Sequence, residues 1–397
     1  MTQSRIGRAA RGAAAVMLVF AMAAHARAAQ LESKTDEEPG ESRASDSDGA
    51  AQNARDAENA SRLKTPKSIV FEAYQKTRTA SNEAGFTEVL DLCQRALDEG
   101  AKGESAAYAR RLMGWAYNRR GEARAARGKE DDALADFDQA VEHDPQHWRA
   151  VHNRGVSYAT AGKHEEAMRD FDRTLELNQS YPNAWFNRGE LRYEQGDYVG
   201  AISDYDRALE LAPEDTAAYN SRGHAYYRTN RFREALADYG QAVRFDPANG
   251  AALTNRGDAH ADMGNFGAAA RDYREAIRVS PKLGRAYQSA AWLMATCPQS
   301  QFRNARLALD AAEKAIEIDG DGDYRYLETL AAAQAAAGEF EDAAKTQERA
   351  IELAPHDAAA RNQERLNLYR RKQAYVDPPR TLTRPQMSSP IGRSRRN

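Results

Sequence analysis

Residues 182–215 read PNAWFNRGELRYEQGDYVGAISDYDRALELAPED, and the same frame recurs on both sides of them. Gly189, in the eighth place, belongs to a series of Gly121, Gly155, Gly189, Gly223 and Gly257, spaced by 34 residues without a slip. Ala133, Ala167, Ala201, Ala235 and Ala269 hold the twentieth place, and Phe137, Phe171, Tyr205, Tyr239 and Tyr273 the twenty-fourth. Pro145, Pro213, Pro247 and Pro281 close the frame, with Gln179 in the one place where proline is missing. A fixed period of this length marks stacked supersecondary units, each burying its apolar face against its neighbours.

Each unit reads as two antiparallel helices of about 13 residues, roughly 20 Å long at 1.5 Å per residue. The small residues at the eighth and twentieth places let the two helices approach closely. The aromatic at the twenty-fourth place is expected to fill the space between neighbouring units, and proline ends the second helix because it cannot continue the ladder. Gly128, Gly162, Gly196 and Gly264 mark the turn within a unit, and Asn230 takes that role once. Continuous valine- and isoleucine-rich runs are absent, which argues against a parallel sheet.

The period and the order small, small, aromatic, proline resemble the tetratricopeptide-repeat family over roughly residues 66–375. That resemblance implies an all-α, right-handed superhelical solenoid of antiparallel helix pairs whose first helices line a concave groove. It also implies a protein-binding scaffold and not an enzyme. Five units are regular, at 114–147, 148–181, 182–215, 216–249 and 250–283. Residues 284–357 give two atypical units, the first with a turn at Thr296–Ser300 about five residues too long for the frame. A degenerate helical unit is expected over 66–113, with one long helix from Glu104 to Arg127, and a capping helix over 358–375.

Both ends read differently. Arg5, Arg8 and Arg11, the apolar run Ala13–Ala24 and the A-x-A site Ala26-Arg27-Ala28 form the three parts of a secretory signal peptide. The run of 12 apolar residues is short for a membrane anchor, which takes about 20. The expected location is therefore periplasmic or secreted, with no transmembrane span after cleavage at 28. Residues 29–65 are polar and acidic, and 376–397 are rich in proline and arginine. Both are expected to be disordered, because they cannot bury enough surface to offset chain entropy. The net charge of −3, from 56 basic and 59 acidic residues, gives no reason to expect a nucleic-acid partner. Cys93 and Cys297 are expected to be free thiols, since they lie several units apart and a disulfide needs Cα atoms within roughly 7 Å.

Two side-chain series ride on the period. Arg120, Arg154, Arg188, Arg222 and Arg256 take the seventh place, where the family pattern has leucine, and Asp136, Asp170, Asp204, Asp238 and Asp272 follow sixteen residues later. They form either an internal ion-pair ladder or, if the arginines face solvent, a site for an acidic ligand. Asn153, Asn187 and Asn255 hold the sixth place, interrupted by Ser221. This series resembles the asparagine ladder in the repeat region of the O-GlcNAc transferases, and such a row can bond an extended peptide backbone through donor and acceptor. The competing reading is that these asparagines bond neighbouring backbone or solvent.

Phe186, Glu190, Tyr193, Asn220, Tyr227 and Asp258 join the asparagines as expected groove residues. With Glu194 and Asp262 they make an acidic, aromatic-studded surface suited to a basic and apolar ligand segment. The two-lysine carboxylate clamp of chaperone-binding relatives is not visible. No cofactor, catalytic or metal motif stands out. His143, His147 and His152 straddle a helix boundary. Asp319, Asp321 and Asp323 resemble the start of a calcium loop, but Tyr324 and Leu330 stand where that loop needs glycine and glutamate. A metal-dependent enzyme using these acids and a self-assembling structural solenoid are the alternatives to a scaffold.

Overall fold

The structure, a computed structural model, describes residues 65–356 and 358–377. The signal peptide, nearly all of the acidic linker and most of the Pro/Arg-rich tail lie outside the described residues. Those described form seventeen α-helices, one short 3₁₀ turn and no strand, and the fold is an all-α helical-repeat solenoid. The helices fall into two compact units that divide between Glu214 and Asp215.

In the first unit, α1 (Pro66–Thr77) pairs with α2 (Glu83–Asp98), and α3 (Gly103–Ala125) with α4 (Glu130–His143). Likewise α5 (Trp148–Thr160) pairs with α6 (His164–Leu177), and α7 (Pro182–Glu194) with α8 (Tyr198–Leu211). Thr65 caps α1 by accepting the Ser68 amide, with proline in the first turn, where its missing N–H costs nothing. The long helix expected from Glu104 is α3, so the first regular repeat begins in mid-helix. Helices α1 to α3 share an apolar core that includes Ile69, Val89, Leu90, Leu112 and Met113. Cys93 is a free thiol inside this core, and burial pushes its pKa up to about 12. That leaves it protonated and unreactive.

The second unit pairs α9 (Thr216–Arg228) with α10 (Phe232–Phe245) and α11 (Gly250–Asp262) with α12 (Phe266–Val279). It continues with α13 (Gly284–Thr296) and α14 (Ala305–Asp319), α15 (Tyr324–Ala336) and α16 (Phe340–Leu353), and ends in α17 (Ala359–Arg370). The overlong turn after α13 is a built element. Its 3₁₀ segment Ser300–Phe302 sets Phe302 against Phe266 at 6.2 Å between ring centroids, and the Asn304 side chain caps α14. The free tail expected from Val376 does not begin there, because the Asp377 amide donates to the Thr296 carbonyl at 2.8 Å.

The repeated aromatic packs on two sides, sharing a core with the next first helix as expected, Phe171 with Leu191, Tyr239 with Ala259 and Tyr273 with Leu293. On its other side the aromatic lies against the glycine of its own unit. A Cβ on Gly189 would stand 2.7 Å from the Tyr205 ring, and one on Gly257 2.5 Å from the Tyr273 ring. The glycine is therefore the seat of the ring, and the close helix pair follows from that fit.

Candidate protein-binding face

The charged series at the seventh and twenty-third places resolves into five two-pronged clamps. Nε and Nη2 of Arg120 donate to Asp136 at 3.0 and 2.8 Å, and those of Arg154 to Asp170 at 2.8 and 2.8 Å. The same pair of bonds joins Arg188 to Asp204 at 3.0 and 2.7 Å, Arg222 to Asp238 at 2.7 and 2.8 Å, and Arg256 to Asp272 at 2.8 and 2.7 Å. All five aspartates are buried. Bidentate charge-assisted bonds hold both partners in one geometry. In the first unit the third nitrogen reaches back to the preceding second helix. Nη1 of Arg120, Arg154 and Arg188 donates to Thr87, Asp138 and Asp172 at 3.0, 3.4 and 2.7 Å. Each of these arginines thus closes its own helix pair and ties it to the one before, and its fork is turned away from any external acid.

The asparagines bond neighbouring first helices. Asn153 Nδ2 on α5 donates to Asn118 Oδ1 and Glu122 Oε1 on α3 at 2.9 and 3.1 Å. Asn187 Nδ2 on α7 donates to His152 Nε2 on α5 at 3.0 Å, and Asn255 Nδ2 on α11 to Asn220 Oδ1 on α9 at 2.9 Å. Asn187 and Asn255 are buried, at 0% and 3% exposure. Their placement as groove-lining contacts is therefore corrected: they sit in the seam between successive first helices. Phe186 is corrected in the same way, since it is 0% exposed and packs 5.8 Å from the Tyr205 ring. Glu190 is also buried and accepts the Tyr205 hydroxyl at 2.6 Å.

Asn153, Tyr193, Asn220, Tyr227 and Asp258 remain partly open. Tyr193 meets Tyr198 edge-on at 5.2 Å. The Tyr227 hydroxyl donates to Asp262, and Asp258 accepts from Tyr273 at 2.9 Å and from Arg285 at 2.7 Å. Glu194 on α7 is half-buried. It follows Glu190 by one helical turn, and His164 Nδ1 is 3.9 Å away. Burial, together with the charge of Glu190, pushes its pKa up to about 7. Burial pushes His224 in the opposite direction, down to about 4, so that imidazole is neutral at physiological pH.

The bonded partners follow fixed spacings in the sequence. Partners 35 residues apart recur as Asn118 with Asn153, His152 with Asn187, Asn220 with Asn255 and Tyr227 with Asp262. In two units the ninth place also answers the twenty-fourth, as Glu190 and Asp258 accept phenols from Tyr205 and Tyr273. A buried hydroxyl calls for such a partner. The three acids of the apparent calcium loop are spent locally. Asp319 accepts from Tyr326 at 2.5 Å, Asp321 pairs with Arg349 at 2.5 Å, and Asp323 caps α15. Among the described residues no histidine, cysteine and carboxylate groups converge to hold a metal, and no helix is long and apolar enough to cross a membrane.

Comparison with known families decides what this frame is. Models of the tetratricopeptide repeat match residues 118–182, 189–230, 223–264 and 250–283. Residues 118–182 and 189–283 are thus the part of the chain that matches tetratricopeptide-repeat models. A tetratricopeptide repeat protein from Parabacteroides merdae is 20% identical, aligning 65% of this chain with 99% of that one at a TM-score of 0.51. PilF of Pseudomonas aeruginosa is 18% identical over 56% of this chain and 98% of its own, with a TM-score of 0.49. YrrB, described as a TPR protein with an unusual peptide-binding site, is 23% identical over 43% of this chain and 88% of its own, with a TM-score of 0.38. These likenesses are of fold. No curated protein matches the sequence.

Proposed function

We propose that this chain is a protein–protein interaction scaffold that binds extended, basic and apolar segments of partner proteins along the first helices of its repeats. The observation that carries this reading is Glu194. A half-buried carboxylate that stands one turn from Glu190, with only a histidine nearby, is costly to ionise and gains most from an incoming ammonium or guanidinium. Tyr193 beside it offers apolar area with a polar rim, the usual make-up of a contact point. Binding is tested with the full chain on an array of extended peptides. Lysine- and arginine-bearing peptides are expected to bind, and Glu194→Lys to weaken them about tenfold, the worth of one buried charge contact. Affinity unchanged by Glu194→Lys would sink the reading.

We further propose that the protein works outside the cytoplasmic membrane. The support is the three-part leader in residues 1–28. Intact mass of the protein from its native host tests this. A chain beginning at Ala29 is expected, and one that retains residues 1–28 in the cytoplasm would refute export.

A further inference from the structure

The C-terminal end of the second unit holds an arrangement that the repeat frame does not call for. After α17 the chain turns at Lys372, with φ at 57°, and residues 373–377 lie against α13 and α15. The Asp377 amide donates to the carbonyl of Thr296, the last residue of α13, where helix carbonyls lack an internal partner. Trp292 Nε1 donates to Asp377 Oδ2 at 3.3 Å, and the Tyr375 hydroxyl to Asp377 Oδ1 at 2.9 Å. The Tyr375 ring packs on the Ala331, Ala335 and Tyr369 cluster, 6.0 Å from the Trp292 ring. Arg365 lies over both rings, at 4.8 and 4.9 Å, and pairs with Glu328 at 3.1 Å.

Trp292 and Thr296 hold the ninth and thirteenth places of α13, the places that Glu190 and Glu194 hold on α7. A short non-helical piece of chain therefore sits at the places of an atypical repeat that the proposed binding face uses on α7. It is held as a ligand would be, by one main-chain bond, a bound carboxylate and a seated aromatic. Its seat is not a dry apolar core. The charged Arg365–Glu328 pair lies under it, and the Tyr369 hydroxyl is buried without a partner. Polar groups in a seat make a contact easier to release than a wholly apolar one.

We propose that residues 373–377 are a displaceable internal ligand, and that the site beneath them, formed by Trp292, Thr296, Tyr369 and the Arg365–Glu328 pair, receives a partner-protein segment of the same chemistry, an aromatic residue followed two places on by a carboxylate. The tethered copy competes at high effective concentration, so an outside segment sees only the fraction of sites that are open. This inference stands apart from the Glu194 face and uses none of its residues.

The test uses the full chain carrying Tyr375→Ala and Asp377→Ala, and a fluorescent peptide of residues 373–379, QAYVDPP, which lacks the basic residues the Glu194 face would select. The peptide is expected to bind this variant at least about tenfold more tightly than the unaltered chain, whose tether occupies the site. Asparagine in place of the peptide's aspartate is expected to abolish the gain. Adding Trp292→Phe, which keeps a ring and removes the N–H, is expected to weaken binding several-fold, whereas adding Glu194→Lys leaves it unchanged. Equal binding to the altered and unaltered chains overturns the proposal, as does no binding by a variant whose circular dichroism and melting match the parent. Should the double variant fail to fold, Asp377→Asn alone takes its place. A several-fold gain supports the proposal there, and no gain overturns it.

Discussion

The regular repeats at 114–283 and the atypical ones at 284–357 build the same helix pair from different side chains. In the regular set the seventh place is arginine clamped to aspartate; in the atypical pair it is Ala290 and Leu330. In the regular set the eighth place is glycine under an aromatic ring. In α13 and α14 it is Ala291, in one alanine-rich core with Ala312, and in α15 and α16 it is Ala331, with Gln347 in the aromatic's place. At the thirteenth place Glu194 stands without a strong cation, whereas Thr296 lends its carbonyl to Asp377. The pair needs a filled interface of fixed thickness, and glycine plus ring or alanine plus a smaller group both supply it. The clamp adds direction, since a fork-to-carboxylate bond tolerates little rotation.

The clamp should show the largest effect when broken from one side. Arg256→Ala leaves Asp272 buried without its cation and is expected to cost about 3 kcal/mol by urea denaturation. Arg256→Leu with Asp272→Leu, which copies the apolar style of the atypical units, should cost no more than about 1 kcal/mol. A double variant as unstable as the single one would show that the two styles are not interchangeable.

Glycine comes next. Gly257→Ala drives a Cβ to 2.5 Å from the Tyr273 ring and is expected to cost about 2 kcal/mol, part of it recovered by Tyr273→Leu. Gly240→Ala in α10, where a Cβ meets nothing within 4 Å, should instead stabilise by about 0.5 to 1 kcal/mol. A loss at Gly240 would break the link between ring and glycine.

The thirteenth place should show the smallest effect, and it depends on pH. Glu194 has its folded pKa raised to about 7, so its ionised form costs stability above that pH. The cost falls as pH drops through 7 and is gone below the ordinary carboxylate range. Glu194→Gln is therefore expected to stabilise by about 1 kcal/mol at pH 8, with the gain vanishing by pH 4. Thermal melts at the two pH values check the sign, and a gain that is larger at pH 4 would contradict it.

The binding face was only partly legible because successive residues of a helix stand about 100° apart. The fifth and sixth places were expected in the groove, yet a step of rotation sets Phe186 against Tyr205 of its own pair and Asn187 in the seam between successive first helices. The arginine–aspartate pairs were easier to find because both partners repeat in phase. The bond from Trp292 to Asp377 spans 85 residues and leaves no periodic trace.

The helix pairs, their turns and the residue classes at each place follow from the amino-acid order alone. A 34-residue repeat forces each unit to solve the same burial problem against its neighbours. Which polar side chains are spent inside the array and which still face outward is set by packing in three dimensions. That choice turns on a single step of helical rotation and on contacts between segments far apart in the chain, such as the seat of Tyr375 and Asp377 on α13 and α15.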